Sequence, residues 1–199
     1  MSLELVTAPS VEIMTTATAK AHLRVDSLDD DTLITDLIVA ARLWIESELG
    51  RQLITASWRL YLDIWPEDGV IRLPKPPLQS VTSISYLDAD GVEQVLSSSI
   101  YTVDKYSIPA RIQPAYGEDW PAAREAVNSI KVLFSSGYGS TAASVPMPIL
   151  KAAKLLIAHL YEHREDVLVT PPGLELSVLP DGMEMLLHRY VAITDRVSI

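Results

Sequence analysis

Leu33-Ile-Thr-Asp-Leu-Ile-Val-Ala-Ala-Arg-Leu-Trp-Ile-Glu-Ser-Glu-Leu-Gly50 is the stretch from which the rest of the chain is best read. Leu33, Ile34, Leu37, Ile38, Ala41, Trp44, Ile45 and Leu49 recur at three-and-four spacing, which predicts an amphipathic helix over about 32–49. Asp36, Arg42, Glu46 and Glu48 fall off that stripe, so the buried face carries no catalytic group and reads as a packing device. Gly50 suits the left-handed position that ends a helix. Upstream, Thr18 to Arg24 makes a short helix after an extended start. Asp26 to Asp31 then supplies N-cap candidates and negative charge for the positive end of the long helix.

From Ser57 the period changes to two. Trp58, Leu60, Leu62 and Ile64 alternate with Arg59, Tyr61, Asp63 and Trp65, predicting a strand with one face on a core that ends at Pro66. Val70 to Leu73 is a second strand, stopped at Pro74-Lys-Pro-Pro77, where amide donors are missing and backbone angles are fixed. Val81 to Leu87 and Val92 to Leu96 flank Asp88-Ala-Asp-Gly91, a hairpin signal. Tyr101 to Asp104, Arg111 to Gln113 and Ile130 to Phe134 are further strands, the last running into Ser135-Ser-Gly-Tyr-Gly-Ser140, read as a flexible turn.

Val145-Pro-Met-Pro148 opens a second long helix over about 147–164, because proline in a first turn gives up no internal hydrogen bond. Its Ile149, Ala153, Leu156, Ile157 and Leu160 form a stripe suited to pack on Leu33, Leu37, Ile38, Trp44 and Ile45 as a helical core. Beyond Asp166 the chain is linker-like through Val167 to Gly173, and Asp181 then precedes Glu184 by three residues, as in a capping box. A short helix there would carry an apolar seam of Met183, Leu186, Leu187, Tyr190 and Val191. So short a helix needs a surface to dock on, either its own core or a partner.

The fold class predicted is α+β: a small helical bundle with an inserted antiparallel β subdomain and a C-terminal helical arm. By residue, 1–56 is the N-terminal helical part of the core, 57–145 the β subdomain, 146–166 the returning core helix and 167–199 the linker and arm. With 199 residues, 48% of them hydrophobic, the chain can bury one core plus a small subdomain. It carries 26 acidic against 16 basic residues, a formal charge of -10, which disfavours tight binding of nucleic acid. The same charge suits a conduit through which DNA slides without sticking. No cysteine is present, which excludes disulfides, thiolate zinc sites and cysteine nucleophiles. The first residues lack the pattern of a signal peptide and no window is apolar enough to span a bilayer, so synthesis and use in the cytoplasm are expected.

His159-Leu-Tyr-Glu-His163 matches the H-x-x-E-H pattern of inverted zinc peptidases, with His159 and His163 as ligands and Glu162 as base. A zinc-dependent hydrolase is therefore the alternative reading. A third ligand is required, and Glu165 and Glu184 are both available without the spacing selecting either. A solvated helix end explains the same residues more simply. Ser135 to Gly139 lacks the lysine and glycine spacing of a phosphate loop, and no serine nucleophile motif occurs. Asp29-Asp-Asp31 reads as a helix cap. The tryptophans at 44, 58, 65 and 120 and the tyrosines at 61, 86, 101, 106, 116 and 138 concentrate in and around the β subdomain, mostly as core, with some suited to anchor an interface.

Taken in order, Ala21-His-Leu-Arg-Val25 with the following aspartates, Ala41 to Gln52, Leu73-Pro-Lys-Pro-Pro-Leu-Gln-Ser-Val-Thr-Ser-Ile84, Tyr86 with Asp88 to Gly91, Tyr101, Trp120-Pro121, Phe134 to Gly139, and Val145 to Ile149 leading into His159 to Glu165 form a pattern over about 15–166. It resembles the head-tail connector, or adaptor, proteins of long-tailed bacteriophages and gene transfer agents. The resemblance implies a non-enzymatic virion subunit without a cofactor. Such a subunit is expected to form a ring of about twelve copies under the portal, to join the DNA-filled capsid to a stopper or tail protein, and to continue the DNA channel without sequence-specific binding. It also implies that a C-terminal segment reaches the portal, which here points to Met183, Leu186, Leu187, Arg189, Tyr190, Val191 and Arg196.

Overall fold

The computed structural model of the chain describes residues 1–163 and 181–192. The chain divides into two compact units, one formed by Val11–Leu49 with Thr141–Val191 and the other by Met1–Ser10, Gly50–Ser140 and Ala192–Ile199. The first is helical and the second is an antiparallel β unit, so the fold is α+β.

In the helical unit, α1 (Thr16–Leu23) starts where the Thr15 hydroxyl accepts the Thr18 amide at 3.2 Å. It ends at Arg24, which takes the left-handed conformation at φ 59°. The long α2 (Asp31–Leu49) buries Ile34, Ile38, Ala41, Ile45 and Leu49, and α3 (Met147–Glu162), with Pro148 in its first turn, buries Ile149, Ala152, Ala153, Leu156 and Ile157. α2 and α3 pack on each other, and α1 packs on both. Leu33, Leu37, Trp44 and Leu160 flank this seam half-buried. Burying one such aliphatic side chain contributes about 1.5–3 kcal/mol, so the seam is the main source of stability in this unit. A last helix, α4 (Asp181–Leu187), packs on α3.

One expectation is corrected here. Arg42 and Glu46, assigned to the solvent side of α2 by their charge, are buried at 7% and 6% exposure. Their positions follow Ile38 by one and two turns, so helical phase puts them on the inner face, and pairing makes their burial tolerable.

The β unit contains two sheets. The larger has the order β1 (Ser2–Thr7), β2 (Ala56–Leu62), β8 (Ile130–Ser136), β4 (Leu78–Leu87), β5 (Glu93–Val95); the smaller has β3 (Ile71–Leu73), β7 (Ala110–Pro114), β6 (Tyr101–Asp104). All pairings between strands are antiparallel. β8 is central, with Val132 opposite both Leu60 and Ile84, and its alternating residues Ile130, Val132 and Phe134 are fully buried. They join Leu60, Ile71, Leu73, Ile84 and Ile112 in a core drawn from both sheets. β2 ends at Leu62, and Ile64, expected to continue its inner face, is 54% exposed because the main-chain oxygen and side chain of Asp63 turn to bond Ser129 and Asn128. Just beyond, Trp65 stacks on Trp120 at 4.6 Å, and each indole donates to a loop carbonyl: Trp65 to Pro121, Trp120 to Gly69.

The Ser135 to Ser140 segment is not the flexible turn its composition suggested. Ser135 and Ser136 belong to β8. Beyond them the Tyr138 amide donates to Leu53 and the Thr55 amide to Gly139. Gly137, at φ 128°, is there for proximity: a Cβ would lie 2.7 Å from the Ile54 carbonyl carbon and the Thr55 nitrogen.

Candidate assembly surfaces

The C-terminal seam splits by depth. Met183 and Leu187 are buried at 2% and 5% exposure on the helix that packs against α3, and Leu186 and Tyr190 are half-buried. Arg189 is exposed, as are Val191 at 47% and Met185 at 73%. Arg196 lies outside the described residues. The helix therefore has a face docked within its own unit and an outer face available to a partner.

The H-x-x-E-H residues sit at the end of α3. The rings of His159 and His163 lie side by side, centroids 4.6 Å apart, and His163 Nδ1 is 3.0 Å from the His159 carbonyl oxygen. Among the described residues no three histidine, cysteine or acidic side chains come together in a way that would hold a metal ion. Glu165 and the side chain of Glu184, the two third-ligand candidates, lie outside that description. The pair is a helix end with one histidine satisfying the last turn.

The three aspartates are structural. Asp29 accepts the Ser27 hydroxyl at 2.6 Å, Asp30 accepts the Tyr161 hydroxyl from α3, and Asp31 pairs with Lys20 of α1. Two of them thus fasten the start of α2 to its neighbours, and the Asp30 carbonyl accepts the Ile34 amide to begin the helix.

The charged cluster that the sequence reading missed is Glu12–Arg42–Glu46. Arg42 donates from Nε and Nη2 to the two Glu12 oxygens at 2.7 and 3.1 Å and from Nη1 to Glu46 at 3.0 Å. Burial alone would lower the affinity of this guanidinium for its proton, but the bonds to Glu12 and the charge of Glu46 outweigh it and hold the pKa above its ordinary value. The fork geometry clamps the segment before α1 onto α2. The signal was in the spacing: residues 38, 42 and 46 share one face.

On the β unit, the outer face of the larger sheet is lined with paired charge. Tyr61 and Arg59 donate to Glu4, while Lys131 and Ser85 donate to Glu93. The Ser85 hydrogen bond and Lys131 lower the Glu93 pKa. Asp104, at the β6–β7 turn, accepts from Ser107 and Arg111, which hold its carboxyl well below the usual carboxylate range. Tyr106 and Tyr116, by contrast, stand almost fully exposed on neighbouring loops. The chemistry of these surfaces is recognition: ion pairs, exposed aromatic rings and apolar helix faces. No helix among the described residues is long and apolar enough to cross a membrane.

Comparison with known proteins points the same way. The family model described as phage gp6-like head-tail connector protein matches residues 13–115, just over half of the chain. Among solved structures, the chain is similar to one from the neck of an empty GTA particle computed with C6 symmetry, with TM-score 0.81, 25% identity, and 98% of this chain and 97% of that one covered. It is similar at 25% identity and the same coverage to chains from the virion of a native gene transfer agent particle, TM-score 0.78, and from the neck of a native GTA particle computed with C12 symmetry, TM-score 0.77. A search of curated proteins gave no match. The chain belongs to the phage gp6-like head-tail connector protein family, as a structural part of the junction between capsid and tail.

Proposed function

We propose that this chain is one subunit of a ring of twelve that sits between the portal of a phage or gene transfer agent head and the stopper or tail protein below it. The observation that carries this reading is the end-to-end likeness to neck chains, together with the symmetry of the particles that hold them. Six divides twelve, so a twelve-membered ring accommodates both the sixfold and the twelvefold description. Ring contacts are head to tail, each subunit presenting different surfaces on its two sides, and closure depends on the rotation between neighbours.

The C-terminal helix is the proposed portal contact. Met183 and Leu187 anchor it to α3, leaving Met185, Arg189 and Val191 outward, with Leu186 and Tyr190 at the rim and Arg196 beyond. The formal charge of -10 supports a channel that lets DNA pass without holding it. Before assembly the subunit stays a monomer or small oligomer in the bacterial cytoplasm, and the portal acts as the template. Removing the gene tests the role. The expected result is capsids that package DNA but lack joined tails, restored by the wild-type chain and not by one truncated before Asp181. Normal tailed particles without the gene would overturn it.

A further inference from the structure

A shallow, open cleft of about 520 Å³ lies between α1 and α3, lined by the exposed Ala17, Thr18 and Ala21 with His22 and Lys154. Its charge is positive. The ion pairs of the helical unit use Lys20 and Arg42, whereas Lys151 and Lys154 face His22 and pair with no acid among the described residues. Burial lowers the pKa of His22, and the two lysines lower it further, so the imidazole is neutral and the positive charge beside it belongs to Lys151 and Lys154. An acidic protein has thus set two lysines that pair with no acid among the described residues beside a shallow cleft with exposed alanines.

The loop between α1 and α2 carries the complement. Leu28 is 77% exposed at its tip, and the acids on either side, Asp26 and Asp29, are exposed, while Asp30 and Asp31 are engaged by Tyr161 and Lys20. Ser27 holds the loop in shape, its hydroxyl donating to the Asp29 carboxylate and accepting the Asp29 amide. An ordered loop loses less entropy on docking.

We propose that neighbouring copies dock through these two features, the Leu28 tip of one copy seated in the α1–α3 cleft of the next beside His22, with Asp26 and Asp29 meeting Lys151 and Lys154. Each copy has one knob and one cleft, so the contact is head to tail and can propagate into a closed ring. A nucleic-acid strand fits less well: a phosphate backbone offers nothing for the exposed alanines, and the chain as a whole repels it. This contact rests on the ring reading above, which it deepens by naming the surfaces.

The absence of cysteine from the chain makes the test clean. Leu28→Cys and Ala21→Cys variants are mixed, with and without portal, and treated with a short thiol-to-thiol crosslinker. The expected product joins one copy of each. Its yield falls about tenfold in a Lys151→Glu, Lys154→Glu background and returns when the knob partner carries Asp26→Lys and Asp29→Lys, since rim charges act through complementarity. Rings of normal mass with no such product would overturn this contact and leave the ring intact. Coupling of Leu28→Cys to its own kind, or only to the portal, would also overturn it. The mixed product without any assembly beyond a dimer would uphold the contact and sink the ring. A monomer with no product would end both.

Discussion

Replacing Arg42 by methionine removes a charge at the centre of the helical unit while keeping most of the side chain's apolar stem. The loss therefore reports the ion pairs more than a cavity. Arg42 and Glu46 side chains are 9% and 8% exposed, and Glu12 is 29% exposed. Breaking a buried pair by deleting one partner costs about 3–5 kcal/mol, because a charge is left unpaired in a poor solvent. Glu12 can turn to water, so the lower end, about 3 kcal/mol, is expected. Urea unfolding at neutral pH followed by far-ultraviolet circular dichroism measures the deficit. Glu12→Gln, which leaves the Arg42–Glu46 pair in place, should cost less than Arg42→Met. A deficit below about 0.5 kcal/mol for Arg42→Met would refute the assignment of Arg42 as a buried clasp.

Two other sites give sharp expectations. Gly137→Ala should cost roughly 1–3 kcal/mol from its backbone angle alone and more from the 2.7 Å approach to Ile54. Faster hydrogen exchange at the amides of Thr55 and Tyr138 is the specific sign. Asp104, whose carboxyl is held low by Ser107 and Arg111, stabilises the β6–β7 turn above the usual carboxylate range, and that contribution is lost as pH falls toward its depressed pKa. Protection of the Tyr106 and Ser107 amides, which both donate to Asp104, should fall in acid relative to their intrinsic exchange rates, and should fall in Asp104→Ala at neutral pH.

The helices were legible because their causes are local. The stripes of Ile34 to Leu49 and Ile149 to Ile157, the aspartates before one and the prolines before the other all act within a few residues. The β4–β5 hairpin was legible for the same reason, through Asp88 and Gly91. Pairing was not: Ser57 meets Ser135 and Leu60 meets Val132 across most of the β unit, and alternation gives a strand's inner face without its neighbour. β1 read only as extended chain because it is an edge strand with most of its residues exposed. Arg42 and Glu46 were misplaced by chemical type although their phase was correct, and Gly137 was taken for flexibility where it serves close approach. Surfaces for other subunits leave a weaker trace, since Leu28 or Met185 looks like any exposed apolar residue until the fold shows what stands beside it.

The ring is the central claim, and the mass of the assembled complex tests it most directly. Native mass spectrometry of the purified chain, alone and mixed with portal, should give a monomer or small oligomer in the first case and a portal complex carrying twelve copies in the second. A chain that remains monomeric in the presence of portal, or binds it in a number that no closed ring accommodates, would contradict the account.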